Sequence, residues 1–147
     1  MNFSIKGIDK SEYQETIEVW EASVRATHDF ISEEDIQTYK PLILNQYFDV
    51  VELRSIRDEN NKILGFSGVA EQNIEMLFID PAYRGKGLGK ILLNHCIEVL
   101  DCYKVDVNEQ NTQAVGFYLK MNFKTVRRSE VDGEGKLYPL LHMEVKG

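Results

Sequence analysis

The run Ile74-Glu75-Met76-Leu77-Phe78-Ile79-Asp80-Pro81-Ala82-Tyr83-Arg84-Gly85-Lys86-Gly87-Leu88-Gly89-Lys90 joins an apolar strand to a glycine-rich turn. Asp80-Pro81 closes the strand, because proline cannot donate to a ladder. After the turn, Leu88, Ile91, Leu92, His95, Cys96, Val99 and Leu100 recur at three- and four-residue spacing, which predicts an amphipathic helix reaching Leu100. Strand, tight turn and helix together suit a bound diphosphate. Glycines at 85, 87 and 89 let the backbone approach an anion, and the helix start offers free N–H groups and a positive dipole end. Arg84, Lys86 and Lys90 add charge where phosphates would sit. Two other phosphate motifs fail on spacing. Gly89-Lys90 is followed by Ile91 rather than Ser or Thr, and a dinucleotide fingerprint would need glycine where Lys90 stands.

Upstream, Ile5 to Ile8 reads as a first strand. Ser11 and Gln14 form a helix-start pattern, followed by Tyr13, Ile17, Trp20, Val24 and Ile31 at helical spacing. A second start at Ser32 leads into Ile36, Tyr39, Ile43 and Tyr47, with a break or bend expected at Pro41. Val50–Arg57 and Ile63–Ala70 are strands around the turn cluster Asp58 to Asn61. Downstream come a strand from Tyr103 to Val107 and a helix from Asn111 to Met121 with Asn122 as its left-handed stop. Two last strands, Phe123 to Arg128 and Tyr138 to Val145, flank the loop Asp132 to Gly135. The order β-α-α-β-β-β-α-β-α-β-β predicts an α/β (α+β) domain: a mixed sheet of about seven strands with helices on both faces.

The 147 residues fit one domain, 43% hydrophobic and 28% charged, a globular balance. No apolar run is long enough to cross a bilayer, and the first six residues lack the pattern of a secretory signal. Cys96 and Cys102 make no disulfide framework, so a reducing, cytoplasmic setting is expected. A net charge of −7 disfavours nucleic-acid binding and favours a cationic partner. No His, Cys, Asp and Glu group has metal-ligand spacing, and no nucleophile elbow supports a Ser/His/Asp triad. His95 reads as a packed core residue, and His142 has no partner nearby in sequence.

The segment Phe78 to Gly89, with Arg84, Gly87 and Gly89 at its key positions, resembles the coenzyme-A loop of the GNAT superfamily of acetyltransferases. Asn108-Glu109-Gln110-Asn111-Thr112-Gln113-Ala114-Val115-Gly116-Phe117-Tyr118 is similar to that family's Asn-x-x-Ala-x-x-x-Tyr helix. The resemblance spans essentially the whole chain. Trp20 to Ile31, Val107 to Tyr118 and Tyr138-Pro139-Leu140-Leu141 look like the bacterial YjaB-type subgroup, associated with peptidyl-lysine acetylation. The one visible departure is Asn122-Phe123, where the family usually has Gly-Phe.

The resemblance implies a GNAT fold, acetyl-CoA as cosubstrate and a primary amine as acceptor. By it, Leu77, Phe78 and Ile79 offer a strand edge to the pantetheine arm. The amides of Arg84, Gly85, Lys86, Gly87, Leu88, Gly89 and Lys90 hold the pyrophosphate, Asn111 bonds the coenzyme, and Tyr118 lies near the sulfur. A phenol with a pKa near ~10 can protonate a departing thiolate. An alkylammonium with a pKa near ~10.4 must first lose a proton, at about 4 kcal/mol near neutral pH, so a base is expected. Glu75, Glu71 and His28 are its candidates, Glu75 foremost. Trp20, Thr27, His28, Phe30 and Tyr39 are expected to wall the acceptor side, with Asp29, Glu33, Glu34 and Asp35 attracting a cation. The acceptor is expected to be a protein lysine, with a polyamine, another small amine or a protein N-terminus open. A fold that only holds coenzyme A is the alternative. The partners expected are acetyl-CoA and that amine, with no nucleic acid and no membrane, for a monomer or a homodimer.

Overall fold

The computed structural model describes residues 2–27 and 29–145. Seven strands form one sheet: β1 (Ser4–Gly7), β2 (Glu52–Arg57), β3 (Ile63–Ala70), β4 (Asn73–Ile79), β5 (Lys104–Asn108), β6 (Phe123–Ser129) and β7 (Leu140–Val145). Their order is β1-β2-β3-β4-β5-β7-β6. All neighbours are antiparallel except β4 and β5. β3 is buried along nearly its whole length rather than in alternation, as a central strand covered on both faces must be.

Helices α1 (Tyr13–Thr27) and α2 (Glu33–Leu42) bring Ile17, Trp20, Val24 and Ile36 against Phe66 and Met76. On the other face, α4 (Leu88–Glu98) packs Leu88 and Leu92 on Ile56 and Leu64. Helix α5 (Thr112–Lys120) joins Leu93 and Cys96 of α4 in a further cluster through Tyr118. Asn122 takes φ 72 after α5, the left-handed stop expected of it.

Three local expectations are corrected. Ser11 does not open the first helix. Asp9 precedes a 3-10 turn, Lys10–Glu12, and donates its N–H to Glu12 Oε1 at 3.0 Å. The cause is long-range: Arg57, only 3% exposed, donates to both Glu12 oxygens at 2.6 and 3.0 Å. Those bonds hold the Glu12 carboxyl at a pKa of about 2. Pro41 does not break α2. The bonding ladder resumes at Ile43, whose N–H donates to the carbonyls of Tyr39 and Lys40, and the chain continues as a π-helical turn, Ile43–Tyr47, and a single turn α3 (Phe48–Val50). Helix α4 ends at Glu98, so Val99, 59% exposed, leaves the apolar stripe.

The feature that positions the site is the parting of β4 from β5. They pair only at Asn73 with Lys104 and Ile74 with Val105. In the β3 register Gly68 faces Met76 and Val69 faces Ile74, so Glu75 is an extra, bulged residue. Beyond it, the Asp80 N–H donates to the Leu64 carbonyl of β3 at 2.8 Å. Alternate residues of a strand face opposite neighbours, so the backbone groups of Leu77 and Ile79 face the gap beside β5.

Candidate active site

The gap opens into a cleft of about 340 Å³. Its walls are β4, the turn that follows it, the start of α4, and one side of α5. Leu77, Phe78, Ile79, Arg84, Gly85, Gly87, Leu88, Gly89, Lys90, Asn111 and Tyr118 all line it. Lys86 is exposed on the turn but is not among the lining residues. Leu88 also lines it, while its side chain is buried in the core beside Ile56 and Leu64. Gly85 and Gly87 take φ 76 and 80, conformations that side-chain-bearing residues resist. Gly87 caps α4, and the first intrahelical bond runs from the Ile91 N–H to the Gly87 carbonyl at 3.1 Å. The N–H groups of Leu88, Gly89 and Lys90 precede that bond and have no intrahelical acceptor. Gly89 keeps the floor low, since a Cβ there would stand 3.7 Å from Phe117 Cζ.

Asn111 sits at the N-cap of α5, where its side-chain oxygen accepts the Ala114 N–H at 3.2 Å. It therefore presents the start of α5 to the cleft. Gln113, Ala114 and Phe117 of the same helix also line the cleft, unforeseen in the sequence reading. Gln113 accepts from Arg84 at 3.3 Å, which ties α5 to the turn. At the inner end Tyr118 is 5% exposed, edge-on to Phe117 and Phe123 with ring centroids 5.2 and 5.4 Å away. Burial pushes its phenol well above the ordinary tyrosine range, so it stays protonated at neutral pH.

A second cavity of about 460 Å³ adjoins the first at Phe78, which lines both. Trp20, Tyr39 and Tyr47 supply aromatic wall, and Glu75, Asp132 and Glu134 supply carboxylates. No basic residue lines it among the described residues. Asp132 accepts from the Tyr39 hydroxyl and from the Glu134 and Lys136 N–H groups at 2.9 and 3.0 Å, which fixes the β6–β7 loop over the cavity. Nothing in the spacing of that loop announces this role, because it depends on the hairpin folding back on α2. Glu75 reaches solvent, but its carboxyl is crowded. Burial first, and then the charge of Asp106, raise its pKa above the usual carboxyl value.

The expected acceptor wall is only partly right. Trp20 and Tyr39 line the second cavity. Thr27 lines the first, with its hydroxyl donated to the Ser23 carbonyl at 2.7 Å. Phe30 lines neither and stands 6.2 Å from the Tyr138 ring. His28 lies outside the described residues. Nor do the acids before and within α2 line the cavity. Glu33 pairs with Arg25 at 2.6 Å, and Asp35 pairs with Lys136 at 3.0 Å and with the Tyr138 hydroxyl. Glu71 stands at the β3–β4 turn with φ 51, outside the second cavity. His95 is partly exposed rather than packed in the core, with its Nε2 buried and unpartnered. Among the described residues no group of three His, Cys, Asp or Glu is placed to hold a metal ion, and no helix is long and apolar enough to cross a membrane.

Residues 12–146 match the family model described as the acetyltransferase (GNAT) domain. The chain belongs to the GNAT acetyltransferase family. Over 147 residues it is 40% identical to the peptidyl-lysine N-acetyltransferase YjaB of Escherichia coli, covering 100% of this chain and 99% of that one. The solution structure of apo YjaB from E. coli superposes with a TM-score of 0.90 at 39% identity, covering 100% and 99% of the two chains. The PaiA N-acetyltransferase of Thermoplasma acidophilum, solved with coenzyme A, shares the fold at a TM-score of 0.77 and 20% identity, covering 99% and 100%. This GNAT protein is an N-acetyltransferase that uses acetyl-CoA to acetylate an amine. Its cleft suits that cosubstrate. Arg84 and Lys90 stand at its cationic end beside the start of α4, and the Leu77 and Ile79 backbone faces the gap beside β5.

Proposed function

We propose that this single-domain enzyme acetylates lysine side chains of proteins in the cytoplasm, with Glu75 taking the ammonium proton and Tyr118 returning one to the sulfur. The observation that carries the reading is the meeting of two unlike cavities at Phe78, one cationic and amide-lined, the other aromatic and acidic. The full-length YjaB relatives, 39% and 40% identical, are named peptidyl-lysine N-acetyltransferases. An alkylammonium fits the second cavity: its methylenes pack on Trp20, Tyr39 and Tyr47, and its charge is attracted by Glu75 and Glu134.

The thioester of acetyl-CoA supplies an acyl group already activated for transfer. Everything else falls to the chain. The amides of 84–90 and the α5 start with Asn111 anchor the coenzyme, and the Leu77–Ile79 edge aligns its arm. Glu75, with its raised pKa, is a stronger base than an ordinary carboxylate. Tyr118 is kept protonated by burial and so holds a proton to give. Buried free thiols at Cys96 and Cys102 agree with a reducing compartment.

A thiol-release assay across lysine peptides, polyamines, amino sugars and N-terminal peptides tests the acceptor. Lysine peptides are expected to give the highest kcat/KM, and a preference for polyamines would move the reading to small amines. Glu75→Gln is expected to lower kcat about 10²–10⁴-fold without changing the acetyl-CoA Kd. The acid limb of the wild-type profile should lie above the ordinary carboxyl value of 4.5, because the enzyme must bind its amine with Glu75 ionised.

A further inference from the structure

The second cavity is larger than a lysine side chain needs. At about 30 Å³ per molecule in the liquid, its 460 Å³ equals roughly fifteen waters, whereas a lysine side chain displaces about five. Space remains for whatever stands next to the acceptor lysine. Of the carboxylates lining that space, Glu75 is assigned the amine proton. Asp132 is engaged by the Tyr39 hydroxyl and by two N–H groups of its own loop. That leaves Glu134, which is exposed to solvent. Among the described residues no cation lies within ion-pairing distance of its carboxylate.

The loop is built to hold Glu134 in that place. The Asp132 N–H donates to the Lys136 carbonyl, and the Gly135 N–H to the Asp132 carbonyl, both at 3.0 Å. Gly135 closes this tight turn with φ 77. Two tyrosine hydroxyls then tie the loop and α2 together, Tyr39 bonding Asp132 and Tyr138 bonding Asp35. Lys136, the cation nearest Glu134 in sequence, reaches to Asp35 at 3.0 Å instead. The turn is thereby fixed with its cation neutralised on α2 and its carboxylate over the cavity. A carboxylate without a cation from its own chain attracts one from a ligand, most strongly beside apolar walls that keep water back.

We propose that Glu134 is a specificity-determining residue that reads a second positive charge on the acceptor, so that the preferred lysines have a basic residue beside them. The proposal rests on the second cavity being the lysine site. The lysine amine is taken toward Phe78, where the two cavities meet, and the neighbouring residue stays at the loop. An arginine there offers its planar fork to both Glu134 oxygens. An acidic neighbour is repelled by the same carboxylate. A polyamine carries the same second charge on a different molecule, so the test includes one.

The test is a thiol-release assay on three peptides that differ only in the residues flanking one lysine: arginine, alanine or glutamate. Spermidine is run beside them. In kcat/KM the wild type is expected to favour the arginine-flanked peptide about threefold over alanine and about tenfold over glutamate. That is the scale of an exposed ion pair gained in one case and a repulsion added in the other, and salt should shrink it. Spermidine is expected to be the poorer substrate. Glu134→Gln should bring the three peptides within about twofold of one another, and Glu134→Lys should favour the glutamate-flanked one. The side chain is exposed and belongs to no core cluster, so both variants should fold. Glu134→Gln removes one negative charge from a net −7, so a preference lost with it is local rather than a property of the whole surface. Equal rates on the three peptides in wild type would overturn the inference and leave the lysine reading standing. An arginine preference that survives Glu134→Gln would do the same. Spermidine preferred over every peptide would remove the lysine reading and this inference together.

Discussion

In the proposed mechanism Tyr118 and Glu75 divide the chemistry between two environments. The phenol is sealed among Phe117, Phe123 and the α4 side chains, where ionisation is costly. The carboxyl sits on a bulge between two water-accessible cavities, where it can accept a proton and lose it again. Tyr118→Phe keeps the packing and removes the proton. We expect kcat to fall about 10²-fold or more while calorimetric acetyl-CoA affinity stays within twofold, and an unchanged kcat would take the phenol out of the reaction. Tyr118 was singled out in sequence by the resemblance of the Asn111–Tyr118 stretch to the GNAT helix pattern. His142 was not, because its partners Asp106 and Ser129 are 36 and 13 residues away and meet it only across paired strands.

The turn from Arg84 to Lys90 holds glycines with different duties. Gly87 is required by its backbone, with φ 80 and open space where a Cβ would point. Gly89 has an ordinary helical backbone, and a Cβ there would point toward Phe117 and Ile79 in the cleft. Gly87→Ala should therefore lose about 1–2 kcal/mol of stability in denaturant melts and bind acetyl-CoA more weakly. Gly89→Ala should melt no lower, since alanine favours a helix by about 1 kcal/mol, yet lose acetyl-CoA affinity about tenfold by filling the cleft. Equal affinities for Gly89→Ala and wild type would show that the diphosphate lies elsewhere. Most elements could be read from periodicity and punctuation. The start of α1 could not, because Glu12 is claimed by Arg57, and Pro41 misled because the helix absorbs it near its end and widens.

At the scale of the molecule, one sheet carries two half-sites. Under the proposed reading acetyl-CoA binds where β4 leaves β5 and bridges strands that pair at only two positions. A ligand that binds only the folded state at 100 times its Kd stabilises it by about 2.7 kcal/mol, and for a chain of this size that raises Tm by about 5–10 °C. Thermal melts with saturating acetyl-CoA should show that rise, weakened by added salt because Arg84 and Lys90 contribute through charge. No rise would separate the cleft from the cosubstrate. From the order of residues alone followed the seven strands, the helices on both faces and the glycine turn after β4, because apolar period, glycine and proline act within a few residues of themselves. The parting of β4 from β5, the seating of the β6–β7 loop over the second cavity and the Asp106–His142–Ser129 contacts depended on which strands became neighbours. That choice is made by burial of distant side chains against one another, and no local spacing records it.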